Sequence, residues 1–428
     1  MTSQRASRWG RAARWGGVLG VATVLPRMAL GGGVSPPWVA EEEVPPPSWA
    51  RSVVAHPDDR GQPGSMVLFA GPSRASGRRG VTADGAALPF FGQKRGSGCY
   101  GSWWLVGPLA WTCSDDAALA ASDPSAPERM VDDNGLFAAY SFVRGETAAA
   151  YSSIESAQAG EASEELEHGW SVAVVQEVSS EGAPWARTTK GLYIAKADLT
   201  PAHPSRFRGE AVDEGRLDFA WVVADRAAVW PTQAPKGKTK DARPRFELVH
   251  VREASGPMLR IDDTAWVAAG DVARPRLSPP PPEVTRAGER WIDVDLQAQV
   301  LVAYEGTRPV FATLVSTGRG DGETATRTGV HRIWVKLVAS DMSNIERDDG
   351  ASHYSMQDVP YVQFFDEGIA LHGTYWHGDF GRPHSHGCVN LAPLDAHWLF
   401  DFTGPRLPLG WNAAYPTLVD EGTVIQVR

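Results

Sequence analysis

Residues 372–391 read HGTYWHGDFGRPHSHGCVNL, and this stretch decides how the last third of the chain is interpreted. Its cysteine, Cys388, directly follows Ser385, His386 and Gly387. Small and polar neighbours favour a reactive thiol over an inert one, because a thiolate needs nearby groups that stabilise its charge. Gly387 lets the backbone approach a substrate closely, so the surrounding N–H groups can line an oxyanion hole. The stretch therefore predicts a cysteine nucleophile.

A hairpin is predicted just before this cysteine. The runs VPYVQFF (359–365) and IALHG (369–373) are separated by Asp366, Glu367 and Gly368, with the glycine available for a left-handed position. His372 ends the second strand, and a loop leaving that strand can bring Cys388 beside it. An imidazole there can take the thiol proton.

Spacing alone leaves the base and the type of site open. His386 would share the face of Cys388 in a strand, so it competes with His372 as the base. His384, His386 and Cys388 are also zinc-ligand types, with His377 nearby, but no paired-cysteine or helical two-histidine signature accompanies them. A surface loop with an inert thiol is the third alternative. We predict no metal and no cofactor.

The segment upstream of the hairpin predicts a β meander. RWIDVDLQAQVLVAYEGTRPVFATLVSTG, residues 290–318, places Ile292 and Val294 on one face and Asp293 and Asp295 on the other. The turn residues after Tyr304 separate two further β-type runs.

One short helix is predicted downstream of the cysteine, in PLDAHWLFDFTG. Pro393 suits the first helical position, Asp395 the first turn and Gly404 the end.

Composition favours a mostly β protein with several domains. The chain has 428 residues, with 44 Gly, 32 Pro and 17 Trp, which favour turns and aromatic-rich strands. A formal charge of -10 without a basic stripe excludes nucleic acid as a partner.

Two proline-rich stretches divide the chain, and we place the main boundary near residue 285. The predicted segments are a signal peptide or anchor at 1–31, a Pro-rich linker at 32–65, a β-rich region of two or three modules at 66–273, a Pro-rich spacer at 274–287 and a catalytic domain at 288–428.

The first residues predict export. Arg5, Arg8, Arg11 and Arg14 precede a short apolar run from Trp15, which is typical of a secretory signal or an uncleaved anchor, with a disordered Arg-rich start as the alternative. We therefore expect the protein in the periplasm or cell envelope, with membrane contact only through this segment.

In an oxidising compartment Cys99 and Cys113 can form a disulfide across a hairpin, which leaves Cys388 unpaired.

A weak repeat marks the region between the proline-rich stretches. An aromatic residue is followed five positions later by aspartate at three places: Trp111 and Asp116, Tyr193 and Asp198, Trp266 and Asp271. The ends of these repeats resemble bacterial Src-homology-3-like barrels, with one irregular β domain as the alternative.

Residues 288–428 resemble an L,D-transpeptidase catalytic domain of the YkuD type. The resemblance rests on the opening RWIDVDLQAQVLVAYEG, on VSTG (315–318), on TRTGVHRIWVK (326–336) and on HGTYWHGDFGRPHSHGCVNL. It implies a β-sandwich or barrel-like catalytic domain with a short helix. It also implies that Cys388 is the nucleophile and that His372 is the base, with its other ring nitrogen held by the carbonyl of Gly373.

The resemblance assigns roles to further residues. Ser385, His386 and Gly387 would shape the site and its oxyanion hole, and Asn390 would order the catalytic loop. Residues Tyr375 and Trp376 would line the donor channel, with core packing as the alternative.

One element departs from the family pattern. The family's Thr-Pro-x-Gly is Thr326-Arg327-Thr328-Gly329 here, which puts the local turn in doubt.

The implied reaction is acyl transfer between peptidoglycan stem peptides through a cysteinyl thioester, giving a cross-link. L,D-carboxypeptidase activity, attachment of proteins to peptidoglycan by the same thiol, and a non-catalytic wall-binding scaffold are the alternatives. Carbapenems would acylate the same thiol.

Overall fold

The structure, a computed structural model, describes residues 47–58, 61–237, 239, 241–320, 322–344 and 353–428. The predicted signal or anchor at 1–31 lies outside these residues. The chain is mostly β, as predicted. Among the described residues, no helix is long and apolar enough to cross a membrane.

The first group of strands covers residues 52–120. It consists of β1 (Ser52–Ala55), β2 (Val67–Phe69), β3 (Arg78–Thr82), β4 (Ala87–Pro89), β5 (Gly92–Lys94), β6 (Trp103–Gly107), β7 (Ala110–Cys113) and β8 (Ala117–Ala120). Strand β1 lies inside the range predicted as linker and pairs with β4 and β8. Cys99 and Cys113 are joined by a disulfide with their Cα atoms 5.7 Å apart.

The second group, which we call module 2, covers residues 139–201. It consists of β9 (Ala139–Val143), β10 (Thr147–Tyr151), α1 (Ile154–Ala159), β11 (Glu164–Glu167), β12 (Ser171–Ser180), β13 (Ala183–Thr188), β14 (Tyr193–Ala195) and β15 (Leu199–Pro201). Its apolar side chains, such as Val172 and Ile194, form a core of their own.

The third group covers residues 210–273. It consists of β16 (Glu210–Ala211), β17 (Phe219–Val222), β18 (Arg226–Ala228), β19 (Ala242–Pro244), β20 (Leu248–His250), β21 (Glu253–Ser255), β22 (Met258–Asp262), β23 (Ala265–Ala268) and β24 (Val272–Ala273).

The weak sequence repeat corresponds to a recurring local structure. A single 3-10 turn joins β14 to β15, at Lys196–Asp198, and another joins β23 to β24, at Ala269–Asp271. A turn also separates β7 from β8. The resemblance to Src-homology-3-like barrels stays a prediction.

The C-terminal group consists of β25 (Arg290–Asp295), β26 (Val300–Glu305), β27 (Arg308–Leu314), β28 (Gly329–Arg332), β29 (Val335–Ser343), β30 (Ser355–Asp366), β31 (Ile369–Gly373), β32 (Val389–Leu391), α2 (Pro393–Phe402), β33 (Trp411–Ala414) and β34 (Val424–Val427). The antiparallel pairings β25–β26–β27 confirm the meander, and β30–β31 confirms the hairpin. Helix α2 has Pro393 in its first turn, as predicted.

One detail of these elements differs from the sequence predictions. In the hairpin turn the left-handed residue is Glu367, with φ 45°, rather than Gly368. In β25 both faces of the strand are buried. Asp293 and Asp295 are buried, and Arg428 pairs with them at 2.9 and 3.0 Å.

Strands from the two halves of the chain pair with each other. Strand β3 pairs with β33, β12 meets β30 in parallel at Ser171 and Met356, and β16 pairs with β27. The spacer also packs on the C-terminal strands, because Ser278 N–H donates to Tyr304 Oη over 3.0 Å. The candidate site therefore lies in a sheet to which both halves contribute.

Candidate active site

Parallel pairing of β31 with β32 brings His372 and Cys388 to the same face of the sheet. Leu371 lies opposite Val389 and belongs with it to the main apolar core. Cys388 directly precedes β32 and packs against an apolar cluster that includes Ala370. Because side chains alternate along a strand, Ala370 and His372 are on the face opposite Leu371, and the cysteine is on that face too. Trp376 stacks on His372 and packs against the same apolar cluster as Cys388.

The ring of His372 is held in one tautomer. Its Nδ1 lies 3.1 Å from the carbonyl oxygen of Gly373. A carbonyl only accepts hydrogen bonds, so Nδ1 carries the proton and Nε2 has a free lone pair. Burial lowers the pKa of His372 to about 4, against the opposing effect of the Gly373 hydrogen bond. The side chain is therefore a neutral base at pH 7.

Close packing explains why residue 373 is glycine. A Cβ atom there would lie 3.0 Å from Pro360 Cγ and 3.3 Å from Ala396 Cβ. Gly373, whose carbonyl holds His372, is therefore closely packed between strand β30 and helix α2.

Cys388 is a partly buried free thiol. Burial raises its pKa, while a backbone hydrogen bond at Ala370 acts in the opposite direction. The thiol also donates to the Gly368 carbonyl over 3.8 Å, and among the described residues no hydrogen bond joins it to His372. The resting pair is therefore a neutral thiol and a neutral imidazole, rather than a thiolate and an imidazolium.

The loop before Cys388 is tied to itself and to the meander. Ser385 Oγ donates to the Cys388 carbonyl over 2.5 Å and accepts from Gly387 N–H over 3.1 Å. The backbone N–H groups of His384 and Ser385 donate to the Thr317 carbonyl over 2.9 and 3.0 Å. Gly387 has φ +124°, which favours glycine. These hydrogen bonds hold Ser385 and Gly387, two of the residues predicted to shape an oxyanion hole, in a fixed loop.

Thr326 belongs to the element that departs from the family's Thr-Pro-x-Gly pattern, and it connects the segments that contain Gly318 and Gly387. Its hydroxyl donates to the Gly387 carbonyl over 2.7 Å and accepts from Gly318 N–H over 2.8 Å. Arg327 occupies the position of the missing proline and pairs with Asp366 and Glu367 at 3.3 and 3.0 Å. These contacts fix the turn without a restricted backbone torsion.

Asn390 and three nearby residues form a second polar cluster beside the site. Asn390 Nδ2 lies 2.8 Å from His377 Nε2, and the rings of His377 and His384 are 4.3 Å apart. His384 Nδ1 lies 3.2 Å from Asp379 Oδ2. Burial, followed by the neighbouring His384, lowers the pKa of His377 to about 3.

The zinc alternative does not fit this arrangement. His386 is exposed, and its ring stacks on Tyr354 at 5.8 Å. In the part of the chain that the structure describes, the one group of ligand-type atoms close enough for a metal is Cys99, Cys113 and Asp115. There the two sulfurs already form the disulfide.

The two predicted channel aromatics differ in their surroundings. Trp376 is half-buried and stacks on His372, with ring centroids 5.6 Å apart. Tyr375 is fully buried, stacks on Tyr140 at 3.7 Å and lies 2.6 Å from Ser171 Oγ. Core packing, rather than a channel wall, therefore describes Tyr375. No local pattern around Tyr375 indicates these contacts with module 2.

Comparison with known protein families identifies the C-terminal part of the chain. The family model described as the L,D-transpeptidase catalytic domain, YkuD, matches residues 289–427. The C-terminal third is a YkuD-type domain. No curated protein matches the chain.

Solved structures similar to the chain include three L,D-transpeptidases. The C442S mutant of the Enterococcus faecium L,D-transpeptidase is 22% identical, with a TM-score of 0.25. The match covers 33% of this chain and 50% of that chain. The Stackebrandtia nassauensis protein has 28% identity, coverages of 36% and 58%, and a TM-score of 0.23. The Mycobacterium smegmatis protein has 16% identity, coverages of 60% and 99%, and a TM-score of 0.26. The chain spans half the length of the first, so the assignment of the YkuD domain rests on the family match.

Proposed function

We propose that this protein is a cysteine-dependent acyltransferase of the cell wall, an L,D-transpeptidase that cross-links peptidoglycan stem peptides. One observation carries the proposal: within the matched YkuD domain, His372 and Cys388 share one sheet face, and His372 is a neutral base with its free lone pair on Nε2. Being exposed and stacked on Tyr354, His386 is the weaker candidate for the base.

The first step forms a thioester. The Cys388 thiol turns from the Gly368 carbonyl towards His372 and transfers its proton to Nε2 as its sulfur attacks the carbonyl carbon of the third stem residue. The peptide bond to the terminal D-Ala then breaks, and the leaving amine takes the proton from His372. General base catalysis of this kind suits a thiol whose pKa is raised, because no free thiolate accumulates beforehand.

The second step releases the acyl group. An amine from a neighbouring stem attacks the thioester and His372 accepts its proton. The C–S bond then breaks as the new amide forms, and His372 returns the proton to the Cys388 sulfur, which leaves as the thiol. Water at this step would make the enzyme an L,D-carboxypeptidase, and a protein lysine would attach that protein to the wall.

The developing oxyanion needs N–H donors. Gly387 N–H donates to Ser385 Oγ in the resting structure. We therefore propose that this N–H exchanges Ser385 for the substrate oxygen, with the Cys388 carbonyl still held by the same serine.

Location and partners follow from the proposed reaction. The protein would act in the cell envelope after export, on peptidoglycan stems. Carbapenems, whose strained ring presents an electrophilic carbonyl, would acylate Cys388.

Incubation of the full chain with purified tetrapeptide muropeptides, followed by mass spectrometry, tests the proposal. We expect loss of D-Ala with formation of cross-linked dimers, and neither product with Cys388→Ala or His372→Gln. Trimmed monomers alone would indicate the carboxypeptidase. If a carbapenem leaves no adduct on Cys388 and muropeptides stay unchanged, the non-catalytic scaffold replaces this proposal.

A further inference from the structure

Strand β30 contains two residues in an unfavourable backbone conformation. Asp358 has φ 47° and Tyr361 has φ 60°. Side chains other than glycine rarely adopt this region, and they remain there only when surrounding contacts hold them. Both residues belong to the strand that pairs with β31, the strand of His372.

The contacts that hold this segment come from the N-terminal half of the chain. Tyr140 Oη donates to the Asp358 carbonyl over 2.7 Å, and Thr189 Oγ1 donates to the Asp358 carboxylate. Tyr361 Oη donates to the Gly135 carbonyl over 2.7 Å. Each strained residue is therefore tied to residues 135–189.

The held segment contacts the residue that orients the catalytic base. Pro360 lies between the two strained positions, and its Cγ would be 3.0 Å from a Cβ atom on Gly373. A shift of Pro360 would thus move the Gly373 carbonyl, to which His372 Nδ1 donates.

A second line of contacts reaches His372 through aromatic rings. Tyr375 Oη lies 2.6 Å from Ser171 Oγ and donates to the Gln357 carbonyl over 2.9 Å. Its ring stacks on Tyr140 at 3.7 Å and meets Trp376 edge-on at 5.0 Å. Trp376 in turn stacks on His372.

We propose that Tyr140 and Ser171 of module 2 are positioning residues, which hold the 357–361 segment and the Tyr375–Trp376 pair so that His372 keeps the orientation needed for catalysis. This inference rests on the proposed function for the role of His372. It gives the N-terminal half a task inside the reaction, separate from any wall binding. The Gly373 carbonyl and the Trp376 ring constrain the imidazole from two sides, and module 2 supports both.

The test uses the full chain with Tyr140→Phe, which keeps the ring stacking and removes one hydrogen bond, and with Ser171→Ala. Ser153→Ala is the matched control, because it removes the helix α1 cap within the same module, where the Ser153 hydroxyl accepts from Ser156 N–H. Carbapenem acylation of Cys388 is followed by mass spectrometry as a rate constant and a half-saturating concentration. The Nδ1–H proton of His372 is followed by NMR.

For each of the two variants we expect a roughly 10-fold to 100-fold lower acylation rate constant, an unchanged half-saturating concentration and faster exchange of the Nδ1–H proton. Ser171→Thr, which keeps the hydroxyl, should restore the rate, and Ser153→Ala should change neither readout. Folded Tyr140→Phe and Ser171→Ala proteins with wild-type rates and an unaltered Nδ1–H signal would overturn the inference. If the wild type forms no adduct, the proposed function fails, while the Nδ1–H signal still tests the positioning.

Discussion

Thr326 donates its hydroxyl hydrogen to the carbonyl of Gly387 over 2.7 Å and is buried against the loop that carries Cys388. Thr326→Val would leave that carbonyl and Gly318 N–H without their partner. We expect a loss of about 1–3 kcal/mol in the free energy of unfolding, because both groups are desolvated. Urea denaturation measures this loss, and carbapenem acylation should slow in parallel.

The matched control for this change is Thr324→Val, since the Thr324 hydroxyl donates to the Arg319 carbonyl near the surface. A Thr326→Val protein as stable and as reactive as the control would show that the tie to Gly387 is dispensable.

Because the Cys388 thiol and the His372 imidazole are both neutral in the resting structure, the rate of alkylation of Cys388 should rise with pH. Burial raises the pKa of the thiol, so the thiolate fraction should grow about tenfold per pH unit from pH 7 to pH 9. The iodoacetamide rate constant, measured by mass spectrometry, should follow it. Cys388→Ser should not react, because Cys99 and Cys113 form the disulfide. A fast, pH-independent rate between pH 5 and pH 7 would instead indicate a thiolate–imidazolium pair.

Acid should destabilise the fold through its buried histidines. The pKa of His372 is lowered to about 4 and that of His377 to about 3, both below the ordinary value of 6.5. Between the lowered pKa values and 6.5, the unfolded chain binds more protons than the folded chain. The stabilising contribution to the free energy of unfolding is therefore complete above pH 6.5 and is lost as the pH falls. Each histidine should contribute a slope of up to about 1.4 kcal/mol per pH unit. Denaturation at pH 6.5, 5.5 and 4.5 should show a shallower slope for His377→Gln; an equal slope would contradict this.

Lys336 should make the free energy of unfolding depend on pH in the alkaline range. Its ammonium is buried beneath helix α2 and donates to the carbonyls of Phe400 and Thr403, and burial lowers its pKa to about 7. Above pH 7 the unfolded chain, with a lysine pKa of 10.5, binds more protons, so stability from this group rises with pH. Relative to Lys336→Met, the wild type should gain up to about 1.4 kcal/mol per pH unit between pH 8 and 9.5.

Lys196→Met serves as the comparison for the lysine, since it breaks only a surface ion pair with Glu177. Its difference from the wild type should not vary over the same pH range. Parallel curves for wild type and Lys336→Met would rule out the buried lysine as the source of the slope.

Local patterns in the sequence predicted the elements that surround the site. The alternating apolar residues Ile292 and Val294 were sufficient to predict the meander. Pro393 and Asp395 were sufficient to predict the start of helix α2. These signals are short-range, because strand and helix periodicities appear within a few residues.

Long-range pairing could not be predicted in the same way. Nothing local in Ser171 or Tyr140 indicates that they meet Tyr375, more than 200 residues away, so the sequence could not decide between a channel wall and core packing for Tyr375. Likewise, nothing local in Asp293 indicates that it pairs with Arg428, 135 residues away. Such contacts depend on tertiary structure that a single sequence does not encode as a pattern.

The order of strands in the sheet has a consequence for how the chain reaches its native state. Strand β25 pairs in parallel with β34, which ends one residue before the C-terminus, and β3 pairs with β33. Each pairing joins strands that lie far apart in the sequence, and contacts so distant in sequence form slowly. The β30–β31 hairpin, whose strands are adjacent in the chain, should therefore form early, whereas the sheet that contains His372 and Cys388 closes only after these distant strands have met.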